Sequence, residues 1–267
     1  MSEVSNGLIQ TLGNYRIVAE IGSGSSGKVY QGKHSILTER TVAIKLLHSH
    51  LRSPEEYERF VEEARLLERL KHPHILHIFD VGIHEGFPYL VAEYAPHGSL
   101  RTHLKRYAPN PLPLEEALTI LTQVGRALYY AHRHNVVHRD LKPENILFNA
   151  QGQALLADFG VATTLSTESI IQATVTGTPS YMSPEQFQGT VSNESDQYAL
   201  GCVAYELFTG CVPFAVSDIF TMGINHLMSR NIFRRTDCQL RLFPMYWWTT
   251  LMAIPGKGQS RLSWIWR

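Results

Sequence analysis

HRDLKPEN, residues 138–145, is set between the apolar Val136-Val137 and Ile146-Leu147-Phe148. Carboxylates, bases and an amide crowd one short loop whose flanks are apolar. Such a loop suits a shared ligand, and phosphate with a metal ion is the natural one. A solvated charged turn has the same composition, so the choice between the two rests on the rest of the chain.

At 267 residues the chain is long enough for one large domain or two smaller lobes with a real core. Lysine plus arginine equals aspartate plus glutamate at 24 each, so no overall field argues for nucleic acid or an anionic membrane. The three cysteines, Cys202, Cys211 and Cys238, show no metal or redox spacing and fit reduced thiols in a cytoplasmic protein. Cys202 and Cys211 are expected in the core. The first residues lack the basic start and apolar run of a signal peptide. Glu206 and Pro213 interrupt the best apolar run, and Arg241 and Pro244 the next, so no membrane span is expected. His72, His74 and His77 lie close in sequence, but no cysteine or carboxylate set accompanies them at zinc-ligand spacing.

Residues 15–22 alternate as a strand would, and GSGSSG, with Gly22, Gly24 and Gly27, runs into the strand-like KVY. Glycines let backbone approach a phosphate closely. In a dinucleotide fold they would open a helix; here Val29 and Tyr30 continue a strand and TVAIK follows at 41–45, so a hairpin is expected and NAD is not. Lys45 ends that strand. Ser53 and Pro54 open a helix whose stripe is Phe60, Ala64, Leu67 and Leu70, with Glu63 at its border, placed to face Lys45. Two strands meet at Glu85-Gly86, and PHGSL reads as a connector between a sheet-rich part and a helical one. A helix over 114–134, with Leu118, Leu121, Val124, Leu128 and Ala131 inward, delivers the chain to the octet. Short strands about Gly152 then end in Asp158, Phe159 and Gly160. A Ser/Thr-rich segment leads to GTPSYMSPE, and ESDQYALGCVAYELFTG reads as a buried helix.

GSGSSGKV, VAIK, the helix with Glu63, HRDLKPEN, DFG, GTPSYMSPE and SDQYALG stand in one order. Together they resemble the eukaryotic-like (Hanks-type) protein kinase family, specifically bacterial serine/threonine kinases, over roughly residues 12–229. The resemblance implies an α+β, two-lobed protein kinase fold with ATP in the cleft: a small antiparallel sheet with one helix, and a mainly helical lobe. It implies transfer of the γ-phosphate of ATP to serine or threonine hydroxyls of proteins, with autophosphorylation through self-association. Lys45, held by Glu63, would grip the α- and β-phosphates; Asp158 and Asn145 would ligate Mg2+, with Mn2+ an alternative. Asp140 would accept the hydroxyl proton and Lys142 neutralise the transferring group. Gly22, Gly24 and Gly27 would drape the phosphates. Adenine would lie among Ile21, Val29, Ala43 and the connector from Glu93 to Ala95, with small Ala92 at the gatekeeper position. Arg139 before Asp140 implies activation-loop phosphorylation, with Ser169, Thr174 and Thr176 as candidates. Thr178 and Lys142 match serine/threonine rather than tyrosine kinases. A small-molecule phosphotransferase shares the catalytic aspartate, but GTPSYMSPE speaks for protein substrates.

The family pattern breaks near residue 230. Residues 231–267 hold all four tryptophans, Trp247, Trp248, Trp264 and Trp266, and one acid, Asp237. Joining the last base of each codon to the first two of the next converts Met245–Thr249 to Val-Leu-Val-Asp and permits Pro-Arg-Glu-Arg from Ile254–Gly258. That hidden frame resembles the missing kinase tail, so a frameshift near residue 230 is expected. The expected divisions are a lead over 1–14, a sheet-rich lobe over 15–94, an incomplete helical lobe over 95–230 and a non-family tail. Loss of the last helices would strip cover from the apolar helix about Gln197–Phe208 and leave Glu185 without its arginine, giving a marginal protein of impaired activity.

Overall fold

The computed structural model describes residues 9–24, 26–37, 39–159 and 179–214. Ser169, Thr174, Thr176, Thr178, Cys238 and the tail from residue 231 lie outside the described residues. The chain forms two compact units, one of residues 9–98 and 147–159, the other of 99–146 and 179–214.

The first unit is built on a six-stranded antiparallel sheet. Its strands are β1 (Thr11–Leu12), β2 (Tyr15–Gly24), β3 (Gly27–His34), β4 (Thr41–Leu47), β5 (Ile78–His84) and β6 (Phe87–Glu93), in the order β1-β2-β3-β4-β6-β5. Alternation sorts the side chains. Tyr30, Ile44 and Val91 stand opposite one another and join Leu12, Tyr15, Val42 and Tyr89 in one core. The opposite face carries the rows Val29-Lys45-Leu90 and Gln31-Ala43-Ala92. Glu85 and Gly86 have φ of 50° and 83°, the left-handed pair that a two-residue hairpin turn requires. β1, within the stretch expected as an N-terminal lead, pairs Leu12 with Tyr15, and Leu12 is fully buried.

Helix α1 (Pro54–Arg69) starts where Ser53 Oγ accepts from Glu56 N–H at 3.2 Å, with proline in the first turn. Phe60, Ala64, Leu67 and Leu70 are buried, as their spacing predicts. Strands β7 (Ile146–Phe148) and β8 (Ala154–Leu156) turn through Gly152 at φ 74°. Leu76 N–H donates to Leu156 O and Leu156 N–H to His74 O, both at 2.9 Å, which tethers β8 to the segment before β5. His74, buried, places its Nδ1 3.1 Å from Ala154 O, a structural use of that ring.

The second unit is helical among its described residues. Ser99 caps α2 (Leu100–Tyr107), and α3 (Leu114–Arg133) and α4 (Asn193–Thr209) pack on each other. The buried stripe of α3 is wider than expected: Ala117, Ile120 and Ala127 belong to it, whereas Leu118 is half-buried. α4 faces protein on most sides, which is why its apolar residues lack a simple stripe; Leu200, Cys202, Val203 and Leu207 are all buried. Among the described residues of α4 no large apolar side chain is exposed. Gly210 ends α4 at φ 77°, its N–H bonded to Glu206 O, and a Cβ there would fall 2.3 Å from Pro109 O.

Candidate active site

The first unit contributes the glycine hairpin, a lysine and an aspartate. β2 and β3 remain paired to Gly24–Gly27, so the glycines form a tight hairpin and not a helix entry. The register slips between Glu20 and Gly22, making Ile21 the extra residue of a bulge, 45% exposed. The glycines differ in purpose. A Cβ at Gly24 would meet no protein atom within 4 Å and one at Gly22 only Val29 Cβ at 3.9 Å, whereas at Gly27 it would fall 2.2 Å from Leu46 O. Gly27 therefore serves the approach of β3 to β4, and Gly22 and Gly24 keep the hairpin surface open.

Lys45 Nζ lies 2.7 Å from Asp158 Oδ2, and the lysine is more buried than the aspartate. Asp158 has φ 60°, a left-handed conformation unusual for a residue with a side chain, while the following Phe159 is buried. Glu63 sits half-buried on α1 beside Ala64, at the border of the buried stripe. On the Lys45 face, Val29 stands opposite Lys45 and Ala43 opposite the buried Ala92. Glu93 N–H donates to His77 O at 2.9 Å, and Ala95 lies just beyond β6, half-buried.

The octet lies in the second unit up to Asn145. Lys142 Nζ contacts Asp140 Oδ2 at 2.7 Å and Oδ1 at 3.0 Å. Asn145 Nδ2 donates to Asp140 O at 2.7 Å and to its Oδ2 at 3.1 Å. The amide thus spends its nitrogen on the aspartate, which leaves its oxygen as the atom suited to a cation. Asp140 is half exposed while Asn145 and His138 are buried, so its carboxylate reaches solvent from a buried base. A 3-10 turn over Pro143–Asn145 closes the loop.

Sequence reasoning assigned no role to Asp196, which holds this loop. Its carboxylate is 1% exposed and accepts from His138 N–H (2.8 Å), Arg139 N–H (2.9 Å) and His132 Nε2 (2.7 Å). Arg139 adopts φ 73°, and Gln186 Nε2 donates to its carbonyl at 2.9 Å. A strained residue persists where surroundings over-determine it, and here the Asp196 carboxylate and the Gln186 amide hold Arg139 from both sides of its backbone.

A second unread cluster surrounds Arg101 on α2. Its guanidinium meets Glu144 Oε1 at 2.7 Å, Glu206 Oε1 at 2.5 Å and the Tyr181 hydroxyl at 2.5 Å; Tyr181 also donates to Glu206 Oε2. Burial, then Glu206, push the Tyr181 hydroxyl well above the usual phenol range. Glu185 accepts from Ser195 Oγ at 2.8 Å, a hydrogen bond from a neutral hydroxyl and not the pairing with arginine that the family pattern supplies. Cys202 is buried as expected, but Cys211 is exposed, because α4 has already ended at Gly210.

This ordering of elements and residues is that of a known class: the protein kinase domain family matches residues 15–245, and the chain belongs to it. The match runs past the point near residue 230 where the family pattern was read as breaking. Among relatives, the probable serine/threonine-protein kinase PknB of Lactococcus lactis is 39% identical over 79% of this chain and 34% of its own length. The serine/threonine-protein kinase PrkC of Bacillus subtilis is 39% identical over 81% of the chain and 34% of its own length. PknH of Mycobacterium tuberculosis, also named a serine/threonine-protein kinase, is 37% identical over 85% and 37% respectively. The chain spans about a third of the length of the curated relatives it matches.

The family uses ATP with a divalent metal, and the residues present fit that pair. Among the described residues no three His, Cys, Asp or Glu side chains gather as a metal site. A magnesium-type ion that takes most of its ligands from phosphates and water needs only one or two protein oxygens. Among the described residues no helix is long and apolar enough to cross a membrane.

Proposed function

We propose that this chain transfers the γ-phosphate of ATP to serine or threonine hydroxyls of proteins. The observation that carries the reading is the Asp140-Lys142-Asn145 constellation, with a solvent-reaching carboxylate tied to an ammonium and an amide. Phosphoryl transfer needs positioning and neutralisation of spread negative charge more than covalent chemistry. Asp140 orients the substrate hydroxyl and accepts its proton. Lys142, already paired with Asp140, neutralises the transferring group. Lys45 holds the α- and β-phosphates, with Glu63 as its second partner, and Gly22 and Gly24 admit the phosphates to backbone. Ile21, Val29, Ala43, Glu93 and Ala95 border the adenine. Asp158 and the Asn145 amide oxygen would hold Mg2+ or Mn2+, which when bound screens the phosphate charges. Both sets of residues must act on one ATP for the reaction to proceed.

Ser169, Thr174 and Thr176 are the proposed sites of autophosphorylation through self-association. A cytoplasmic location belongs to the same reading, supported by the free thiols of Cys202 and Cys211. Incubation with ATP and Mg2+ followed by mass spectrometry tests the proposal: phosphate on serine or threonine, including this loop, is expected. An active enzyme with an unmodified loop removes the phosphosite reading. A kinase fold that binds nucleotide or a partner without turnover is the second reading, favoured by the frameshift inferred near residue 230.

A further inference from the structure

Gln186 follows GTPSYMSPE directly, and its side chain reaches the His138–Asn145 loop, 47 residues away at Arg139. Ser183-Pro184-Glu185-Gln186 makes one turn: Gln186 N–H donates to Ser183 O at 3.0 Å, and the proline holds φ at the second position. The side chain is fixed as well. Its Oε1 accepts from Ser183 N–H at 2.9 Å and from Ser183 Oγ at 3.0 Å, and Ser183 is completely buried. Two donors at one end settle which end is oxygen, so Nε2 is the atom turned toward the loop. There it donates to Arg139 O at 2.9 Å. That carbonyl shares its peptide with the Asp140 N–H, which donates to His138 Nδ1 at 3.3 Å. Arg139, at φ 73°, has its own N–H on Asp196 Oδ1 at 2.9 Å. Asp196 thus holds the peptide before Arg139, and Gln186 holds the one after it, which leads into Asp140. A carboxylate in place of the amide would lack the donor for Arg139 O, and lysine or arginine would lack the acceptor for Ser183.

We propose that Gln186 is a positioning residue for the transfer reaction: through the Arg139 carbonyl it sets the peptide that leads into Asp140, and it ties that setting to buried Ser183. The inference rests on the proposed protein-kinase reading, in which Asp140 receives the hydroxyl proton. The amide does this without adding a charge beside the Asp140 carboxylate.

Amide hydrogen exchange of the full chain reads the link without need of turnover. Gln186→Glu keeps an acceptor for Ser183 but turns a second oxygen on the Arg139 carbonyl, and Gln186→Leu, at a half-buried position, removes the link without adding charge. At neutral pH both should speed exchange of the Asp140 amide about five- to tenfold, and leave the His138 amide, held by Asp196, within roughly twofold of wild type. Lowering the pH through the carboxyl range protonates the new side chain and gives it an O–H donor. The Asp140 amide of Gln186→Glu should then return to within roughly twofold of wild type at the same pH, whereas that of Gln186→Leu should not. Gln188→Glu, which puts the same charge at an exposed place in the same turn, should exchange as wild type throughout. The proposal is overturned by a folded Gln186→Leu with unchanged Asp140 exchange, by exchange raised equally at His138 and Asp140, or by a Gln186→Glu effect that persists at low pH or that Gln188→Glu reproduces. Turnover with ATP is scored separately, where both Gln186 variants should lower kcat about tenfold or more with KM for ATP unchanged. The exchange pattern without turnover in any form leaves the positioning standing and removes the kinase reading of this chain; turnover with kcat unaltered in both variants does the reverse.

Discussion

Replacing Asp196 by asparagine keeps the side-chain volume but removes a charge and one acceptor face from the base of the His138–Asn145 loop. In the native arrangement Oδ2 accepts from His138 N–H and His132 Nε2, and Oδ1 from Arg139 N–H. Whichever way the amide turns, its NH2 group confronts at least one backbone N–H. A buried donor left unsatisfied costs about 1–3 kcal/mol, and weakening of the remaining charge-assisted bonds brings the total to about 2–4 kcal/mol. The left-handed Arg139 then loses part of what holds it. Hydrogen exchange reads this locally, without need of activity: at a factor of ten per 1.36 kcal/mol, the His138 and Arg139 amides should exchange roughly 30- to 1000-fold faster. Exchange unchanged at both amides would refute the view that Asp196 over-determines the loop.

Three further outcomes follow from the same geometry. Gly27→Ala drives a Cβ to 2.2 Å from the backbone Leu46 O, so it should lower unfolding stability by about 1–3 kcal/mol, whereas Gly24→Ala, with open space, should not; equal effects on urea midpoints contradict the division of roles. Ala92→Met fills the row shared with Ala43 and Ile78, and should weaken bulky nucleotide-competitive inhibitors about tenfold or more while sparing ATP; unchanged inhibitor affinity rules out the gatekeeper reading. Burial pushes the Cys202 thiol up, the Tyr198 hydrogen bond offsetting only part, so iodoacetamide at pH 8 should label exposed Cys211 in the native protein and Cys202 only after unfolding. With the folded thiol raised, its contribution to stability is present below the unfolded value of about 8.5 and lost as pH rises beyond it. Rapid native labelling of Cys202 contradicts its burial.

The sequence-local parts of the fold were legible. Ser53-Pro54 announced α1 by capping chemistry, the Phe60–Leu70 spacing gave its inner face, and Glu85-Gly86 marked a hairpin turn. The octet and DFG were legible as motifs because their residue types are fixed by phosphate chemistry. Asp196 and Arg101 were not, because their meaning lies in partners 58 and 105 residues distant. Glycine chemistry alone could not separate Gly27, pressed on Leu46, from Gly24, which touches nothing. β1 is too short for alternation to register, and Leu118 was over-weighted because a helix packed on several sides buries alanines such as Ala117 and Ala127 as deeply as leucines.

The central claim concerns chemistry at Asp140, and labelled phosphate transfer tests it. This chain, its Asp140→Asn variant and a version with the reading frame restored near residue 230 are incubated with γ-labelled ATP and Mg2+. The account predicts label on serine or threonine from the restored chain, weak or absent label from the chain as it stands, and none from the Asp140→Asn form of the restored chain. Equal labelling of that variant, or no labelling by the restored chain, would contradict it.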